Sequence, residues 1–373
     1  MGKIISYIAD ETCGKSFNSY RYKHENIGLS TIQYDDLAEY NLKYIGETDI
    51  KNNHIDLTSY SKEVSNKDRP IFVYFLDGSR RTFKIDDISY NNEIFPIIAG
   101  QVCVACCKRE NRTVKSFKLT KQNVIALPNK SLSEWSKDLE INRLIKEINK
   151  ISSNIKFEKI LVYKTDEKEK LEDKAVAKIQ MCMMDEEQNM VKELMNDRLL
   201  SQNRYLLKDG SLEYKNRNMS KDELYKFKEA YKYVIGVSKS FNPANCIDKK
   251  GNVITKLIAE LPLYHRTPVS RYEDKETKLT FAVWYIRIRD IKYTNDVFSG
   301  ILKIEKILVT DSEEKNGIDS KEVDLISANI INERNPVCYG SDKRWANHLY
   351  PVYMTEQYAK SQYLSNQMFL NIF

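Results

Sequence analysis

Histidine is scarce in this chain, with four residues at positions 24, 54, 265 and 348, and its seven cysteines are an odd number spread over a long sequence. A structural zinc site is excluded by that spacing: Cys103 and Cys106 could open one, but no second Cys or His pair follows at ligand distance. Cys103, Cys106 and Cys107 fall instead in an apolar run, where reduced thiols behave as small hydrophobes. Glycine, at 12, and proline, at 8, are too few for a collagen-like or Pro/Gly-rich disordered chain. Long hydrophobic runs are also missing. The longest, Ile94 to Cys107, falls short of the roughly 18–20 residues of a membrane span and is interrupted by Pro96, Gly100 and Gln101. The N-terminus reaches Asp10 and Glu11 before an apolar leader could form, so the expectation is a cytoplasmic protein that does not enter a membrane.

What is present is a chain of 373 residues, 42% hydrophobic and 30% charged, long enough for a sizeable core. Its 59 basic and 53 acidic residues leave a net charge of +6, compatible with an anionic partner but too small to grip one unaided. The 24 tyrosines offer ring faces that can stack on bases, although in a Lys-, Asn- and Ile-rich composition most of them read as substitutes for Phe.

Residues 1–65 are polar and Tyr/Asn-rich, with one helix expected around Leu29 to Tyr44; they read as an N-terminal lead-in outside the core, ahead of one domain over residues 66–373. From Pro70 onward, apolar segments ending at Asp77, Ile85, Cys107 and Leu119 are joined by short polar turns and predict an antiparallel meander. Residues 131–151 and 167–203 carry helical spacing without Gly or Pro, flanking a strand at Phe157–Tyr163, and read as a helical insertion over about 131–203. Strands at Arg204–Asp209 and Tyr233–Lys239 then alternate with a helix at Lys221–Lys232, which argues parallel pairing through crossovers. Thr280 to Arg287 is a further strand, and Met354 to Phe369 is amphipathic. The fold class expected is α/β, a mixed sheet of antiparallel meander followed by parallel strands, which is the layout of an RNase H-like fold.

Asp77 and Asp209 share one context: each closes an apolar run and precedes Gly-Ser. A strand end holds a carboxylate at a fixed point, and the glycine lets a ligand approach. Asp-Gly is also an ordinary turn dipeptide, so it is the pair that points to a site. A divalent cation needs several converging carboxylate oxygens. On the helix around 181–195, Met183, Met184, Met190, Val191 and Leu194 mark one face with Glu187 in its middle, and Glu186 takes that place if the register shifts by one. A carboxylate on an inward face is paired or functional. Glu356, just after Tyr350-Pro351, is a fourth candidate, although an acidic residue in a first helical turn also serves the helix dipole. Lys239 is placed to touch a scissile phosphate. Arg266 and Arg271, on an extended stretch ahead of Arg287, form either a phosphate-contacting rim or a surface salt-bridge strip, and Arg80 joins them as a candidate beside Asp77.

In this order the pieces resemble the NurA nuclease family. Phe75-Leu-Asp77-Gly-Ser-Arg80 resembles the family's first Asp-Gly-Ser strand, and Leu206 to Leu212 its second Asp-Gly-x-Leu strand. Val234 to Lys239 is similar to the Gly-Val-x-Lys strand, Phe281 to Arg287 to the late aromatic-x-Arg strand, and Tyr350-Pro351 to the terminal Tyr-Pro element. The resemblance spans about residues 70–360. It implies an RNase H-like, PIWI-related fold and a Mn2+- or Mg2+-dependent DNA nuclease acting on ends or single strands. It also implies a homodimer working with a HerA-type hexameric ATPase, in DNA-end processing or antiviral defence. Asp77, Glu187, Asp209 and Glu356 are then the ligands of a two-metal site, Lys239 completes the catalytic set, and Arg80, Lys239, Arg266, Arg271 and Arg287 face nucleic acid. The family commonly has a His or an acidic residue in the helix after Tyr-Pro; this chain has Glu356 and no His there. The alternative is a catalytically silent RNase H-like subunit that binds nucleic acid and organises an ATPase partner. A PIWI-like guide-dependent enzyme is disfavoured, because no segment resembles a guide-end pocket.

Overall fold

The computed structural model describes residues 2–24, 40–43, 46–49, 54–67, 69–132, 137–152, 155–165, 170–213, 219–242, 246, 254–274, 277, 279–294, 296–335 and 345–373. The strands are β1 (Lys15–Ser16), β2 (Tyr22–Lys23), β3 (Tyr40–Lys43), β4 (Ile55–Asp56), β5 (Phe72–Tyr90), β6 (Glu93–Glu110), β7 (Thr113–Pro128), β8 (Lys159–Tyr163), β9 (Tyr205–Asp209), β10 (Val234–Ser238), β11 (His265–Arg266), β12 (Ser270–Asp274), β13 (Thr280–Arg287) and β14 (Ile301–Ile307). The helices are α1 (Lys3–Glu11), α2 (Thr58–Asn66), α3 (Lys137–Ile151), α4 (Leu171–Asn196), α5 (Lys221–Ala230), α6 (Thr255–Ala259), α7 (Asp311–Asn316), α8 (Ser320–Asn332), α9 (Tyr350–Ser361) and α10 (Asn366–Leu370).

Apolar runs rich in Val, Ile, Phe and Cys make β5, β6 and β7 an antiparallel meander. Two-residue turns join them, with Asn91 and Asn111 in the left-handed region at φ 55° and 57°, a conformation Asn tolerates. Beyond the meander β9 pairs parallel with β5 and β10 parallel with β9, and β14 and β13 return antiparallel. One mixed sheet results, in the order β3-β12-β13-β14-β10-β9-β5-β6-β7-β8. Within it β7-β6-β5-β9-β10 has β6 alone reversed, the strand arrangement of the RNase H-like fold expected from the sequence.

The period of two along the strands separates the two faces. Leu76 and Leu206 pack with Met190, Val191 and Leu194 of α4, whereas Phe75 and Leu207 pack with Ile330 of α8 and Val352 of α9. Among the described residues, no helix is long and apolar enough to cross a membrane.

Five features depart from the sequence reading. β5 does not stop at Asp77 but runs on to Tyr90, because β6 pairs with it on both sides of the Asp-Gly step, at Asp77↔Ala105 and Gly78↔Val104. The described parts of the helical insertion expected over about 131–203 belong to the main layers: β8 extends the sheet beside β7, and α4 covers it with Ile179, Met183 and Leu194 buried. The first residues belong to the core, since Ile4, Ile5 and Ile8 of α1 pack with Phe83, Phe95 and Phe373. Most of the helix expected over Leu29 to Tyr44 lies outside the described residues, and Tyr40–Lys43 pairs with β12 as a strand. Near the C-terminus the amphipathic segment divides into α9 and α10, the latter capped by the Ser365 side chain on Met368 N–H.

Candidate metal centre

By the alternation just described, Asp77 and Asp209 project toward α9, and Gly78 and Lys208 toward α4. Because β5 and β9 are parallel with Leu76 beside Lys208, the two aspartates stand next to each other on adjacent strands. β9 ends at Asp209 because Gly210 turns away at φ 80°, a conformation glycine enters without steric cost. α9 starts with Pro351 in its first turn, where no N–H is needed, and buries Val352, Thr355, Glu356 and Ala359. That buried face carries Glu356 to the aspartates.

Asp77, Asp209 and Glu356 each offer one carboxylate oxygen, and the three oxygens lie within 4.8 Å of one another. Asp77 is 5% and Glu356 8% exposed. Lys239, just past β10, places Nζ 2.9 Å from Asp209 Oδ2 and 3.4 Å from Glu356 Oε2. Lys360 donates to Glu356 Oε1 at 2.5 Å. With all three ionised, the carboxylates would outnumber these two ammonium groups. Burial, and then the neighbouring Asp209 charge, accordingly hold the Asp77 carboxyl well above the usual range against the pull of Lys239. Burial alone would lower the Lys239 pKa, but the Asp209, Glu356 and Asp77 charges keep it above its ordinary value. Clustered hard oxygens fit a hard divalent cation.

Glu187 occupies the other face. Its Oε2 is 3.0 Å from Lys208 Nζ, and a Cβ added at Gly78 would run into its carboxylate. Lys208 also donates to the Asp209 carbonyl at 2.8 Å and the Ser211 carbonyl at 3.3 Å. Glu187 thus lies outside the three-oxygen cluster, braced against the strand that carries Asp209, though its charge contributes to the rise at Asp77. Glu186 pairs with Lys159 at 2.8 Å, beside β8.

The expected arginine rim does not form. Arg266 is 0% exposed and bonds Glu47 at 2.9 and 3.1 Å and Asp324 at 2.6 Å. The buried Arg287 donates to the carbonyls of Leu261 at 2.6 Å and Ala259 at 2.7 Å, and burial lowers its pKa. Arg271 bonds the carbonyls of Glu314 and Lys315. Each of the three lies on a strand paired on both sides, Arg266 on β11 between β4 and β13, Arg271 on β12 between β3 and β13, and Arg287 on β13 beside β14 and β11, so the buried Arg266 and Arg287 guanidinium groups must find internal acceptors. Arg80 points to the α4 face, where it bonds Gln180.

Supports that the sequence reading missed surround the centre. Asn347 donates to the Lys239 carbonyl at 3.0 Å and the Ile301 carbonyl at 2.8 Å, and accepts from Gly300 N–H at 2.8 Å. Glu305 accepts from Ser211 Oγ at 2.8 Å and Leu212 N–H at 2.7 Å, fixing the loop beyond Asp209, while Lys303 stands 2.6 Å from Glu305 and 3.1 Å from Glu213. The one available sequence signal was charge inside an apolar strand, Ile301-Leu-Lys-Ile-Glu-Lys-Ile307, since buried charges demand partners.

No protein-family model matches this chain, and no curated protein does. Among solved structures, the crystal structure of the NurA nuclease from Sulfolobus solfataricus is similar over 81% of this chain and 86% of that one, with a TM-score of 0.41 at 13% identity.

Proposed function

We propose that this protein hydrolyses phosphodiester bonds of DNA at the centre formed by Asp77, Asp209 and Glu356, with these three residues holding Mg2+ or Mn2+. The observation that carries the reading is the convergence of three carboxylate oxygens, drawn from two strands and a distant helix, within 4.8 Å of one another. A divalent ion supplies Lewis acidity toward a phosphoryl oxygen and a nucleophilic water at neutral pH. The protein's own residues do the rest. Asp77, Asp209 and Glu356 would hold the ion through their carboxylate oxygens, Lys239 would offer its ammonium to the phosphate charge, and Asn347 fixes the main chain from which Lys239 projects. Lys208, braced by Glu187, holds the backbone of Asp209. A second ion would call on Glu187, which must first leave Lys208.

A charge of +6 on 373 residues gives little unaided hold on DNA. That supports a homodimer supplied with DNA by a HerA-type hexameric ATPase, which raises local substrate concentration without new base contacts. One observation favours a second reading, a catalytically silent nucleic-acid-binding subunit: Lys239 already pairs with two of the three carboxylates. Incubation of linear DNA with Mn2+ or Mg2+, alone and with the ATPase, separates the two. Degradation that EDTA abolishes is expected; intact DNA under every condition decides for the silent subunit.

A further inference from the structure

Three cation–aromatic pairs gather at one edge of the sheet. Arg289 Cζ lies 5.1 Å from the centre of the Trp345 ring, Lys292 Nζ 4.9 Å from Tyr293 and Arg334 Cζ 5.0 Å from Tyr264. This is the edge of the metal centre. β9 and β10 end there at Asp209 and Ser238; Ser238 pairs with Lys303 near the start of β14, and Arg287 at the end of β13 pairs with Ile301. Asn347 ties the parts together, since it bonds the carbonyls of Lys239 and Ile301 and shares a 3-10 turn with Trp345. Tyr264 N–H bonds the Arg287 carbonyl at 2.8 Å, and Arg289 bonds the Asn335 carbonyl next to Arg334. Neighbouring strands are ~4.8 Å apart. β13 is two strands from β10, so the pairs begin about 10 Å from the end of β10.

We infer that this edge is a stacking rim for unpaired nucleotides, a reading that rests on the nucleic-acid substrate proposed above. Tyr293 is 62% exposed, and Ile291 and Val297 on the same loop are each 53% exposed. The loop therefore presents a ring and apolar surface that the core does not use. Bases supply π-faces to such rings, and phosphates supply the anions that Arg289, Lys292 and Arg334 attract. Asp290 engages Lys292 at 3.3 Å, and Asp296 caps the Phe298 N–H, so the loop's own acids are held in local contacts. Within a duplex the base faces are covered by their neighbours, and the rim therefore favours single strands.

Binding measured in EDTA tests the rim without cleavage, so the inference stands or falls apart from the nuclease reading. The probes are a labelled oligothymidylate, an oligouridylate, an abasic strand of equal length and a blunt hairpin duplex, read by fluorescence anisotropy. Tyr293→Ala is expected to weaken oligothymidylate binding about 5- to 100-fold while Tyr293→Phe retains it. The abasic strand and the duplex should bind the Ala variant as they bind the wild type. A loss on oligouridylate as well extends the stacking to RNA, and a loss on oligothymidylate alone makes DNA the ligand. Equal losses on the abasic strand, or an unchanged affinity for oligothymidylate, overturn the inference.

Discussion

Lys239 Nζ lies 2.9 Å from Asp209 Oδ2, so the candidate centre already contains a monovalent counter-ion. An ammonium and a divalent cation seek the same oxygens, and loading one means releasing the other. Lys239→Met is therefore expected to tighten Mn2+ binding by about tenfold, the ratio that ~1.4 kcal/mol of relieved competition gives. It should also slow cleavage by about 100-fold, because the phosphate loses a fixed positive charge. Without metal the variant leaves buried carboxylates unbalanced and should lose about 3–5 kcal/mol of stability, which Mn2+ restores. Calorimetric titration, single-turnover cleavage and melting curves read the three effects; weaker Mn2+ binding in the variant would make Lys239 a support of the ion and not its competitor.

The raised Asp77 carboxyl makes metal-free stability depend on pH in a definite direction. The unfolded chain releases this proton near the ordinary 3.8, whereas the folded protein retains it to higher pH. Stability therefore falls as pH climbs above 3.8, through the raised folded value, and stays low beyond it. Asp77→Asn removes the titration. In EDTA the variant is expected to be more stable than the wild type at neutral pH, with the difference vanishing toward about pH 4, and to gain little from Mn2+. Melting curves across this range check it; a wild-type advantage at neutral pH without metal would contradict the raised Asp77 carboxyl.

Glu187 and Lys208 are each 5% exposed at the side chain and 3.0 Å apart. Removing either charge strands the other, so Glu187→Gln and Lys208→Met should each cost about 3–5 kcal/mol. The double variant should cost less than the sum by at least ~1 kcal/mol, measured by urea unfolding. Metal titration of the double variant adds a functional readout: one site with wild-type affinity is the outcome for a centre built on Asp77, Asp209 and Glu356 alone. Loss of a second binding step in that variant would place Glu187 among the ligands.

The parts of this fold legible in the sequence were those with local signals. Apolar runs closed by Asp-Gly-Ser marked the strands of Asp77 and Asp209, and the Met183, Met190 and Leu194 spacing put Glu187 on the inward face of α4. The rest depended on partners far along the chain. Whether β5 stops or continues at Asp77 is decided by its pairing with β6, which the run around Asp77 does not encode. A lone Asn347 carries no pattern, yet it joins the strand end of Lys239 to β14. Arginines on extended segments look alike whether they face solvent or carboxylates, and the Glu47 that binds Arg266 lies 219 residues away.

Arg266 gives the sharpest contrast between those two readings. Its guanidinium bonds both Glu47 oxygens, Asp324 and the Thr267 carbonyl from a fully buried position. Glu47 also accepts from Val269 N–H at 2.9 Å, so the pair fastens an N-terminal segment to the sheet. Arg266→Met leaves two carboxylates without their cation and is expected to cost about 3–5 kcal/mol. Arg266→Lys should recover only part of it, because an ammonium cannot match the planar fork that spans both acids. In either variant that remains folded, DNA affinity and its dependence on salt should equal those of the wild type, since a phosphate contact would change the slope by about one unit. Unfolding curves and binding isotherms at several salt concentrations supply the two readouts. A reduced salt slope at unchanged stability would return Arg266 to the nucleic-acid surface.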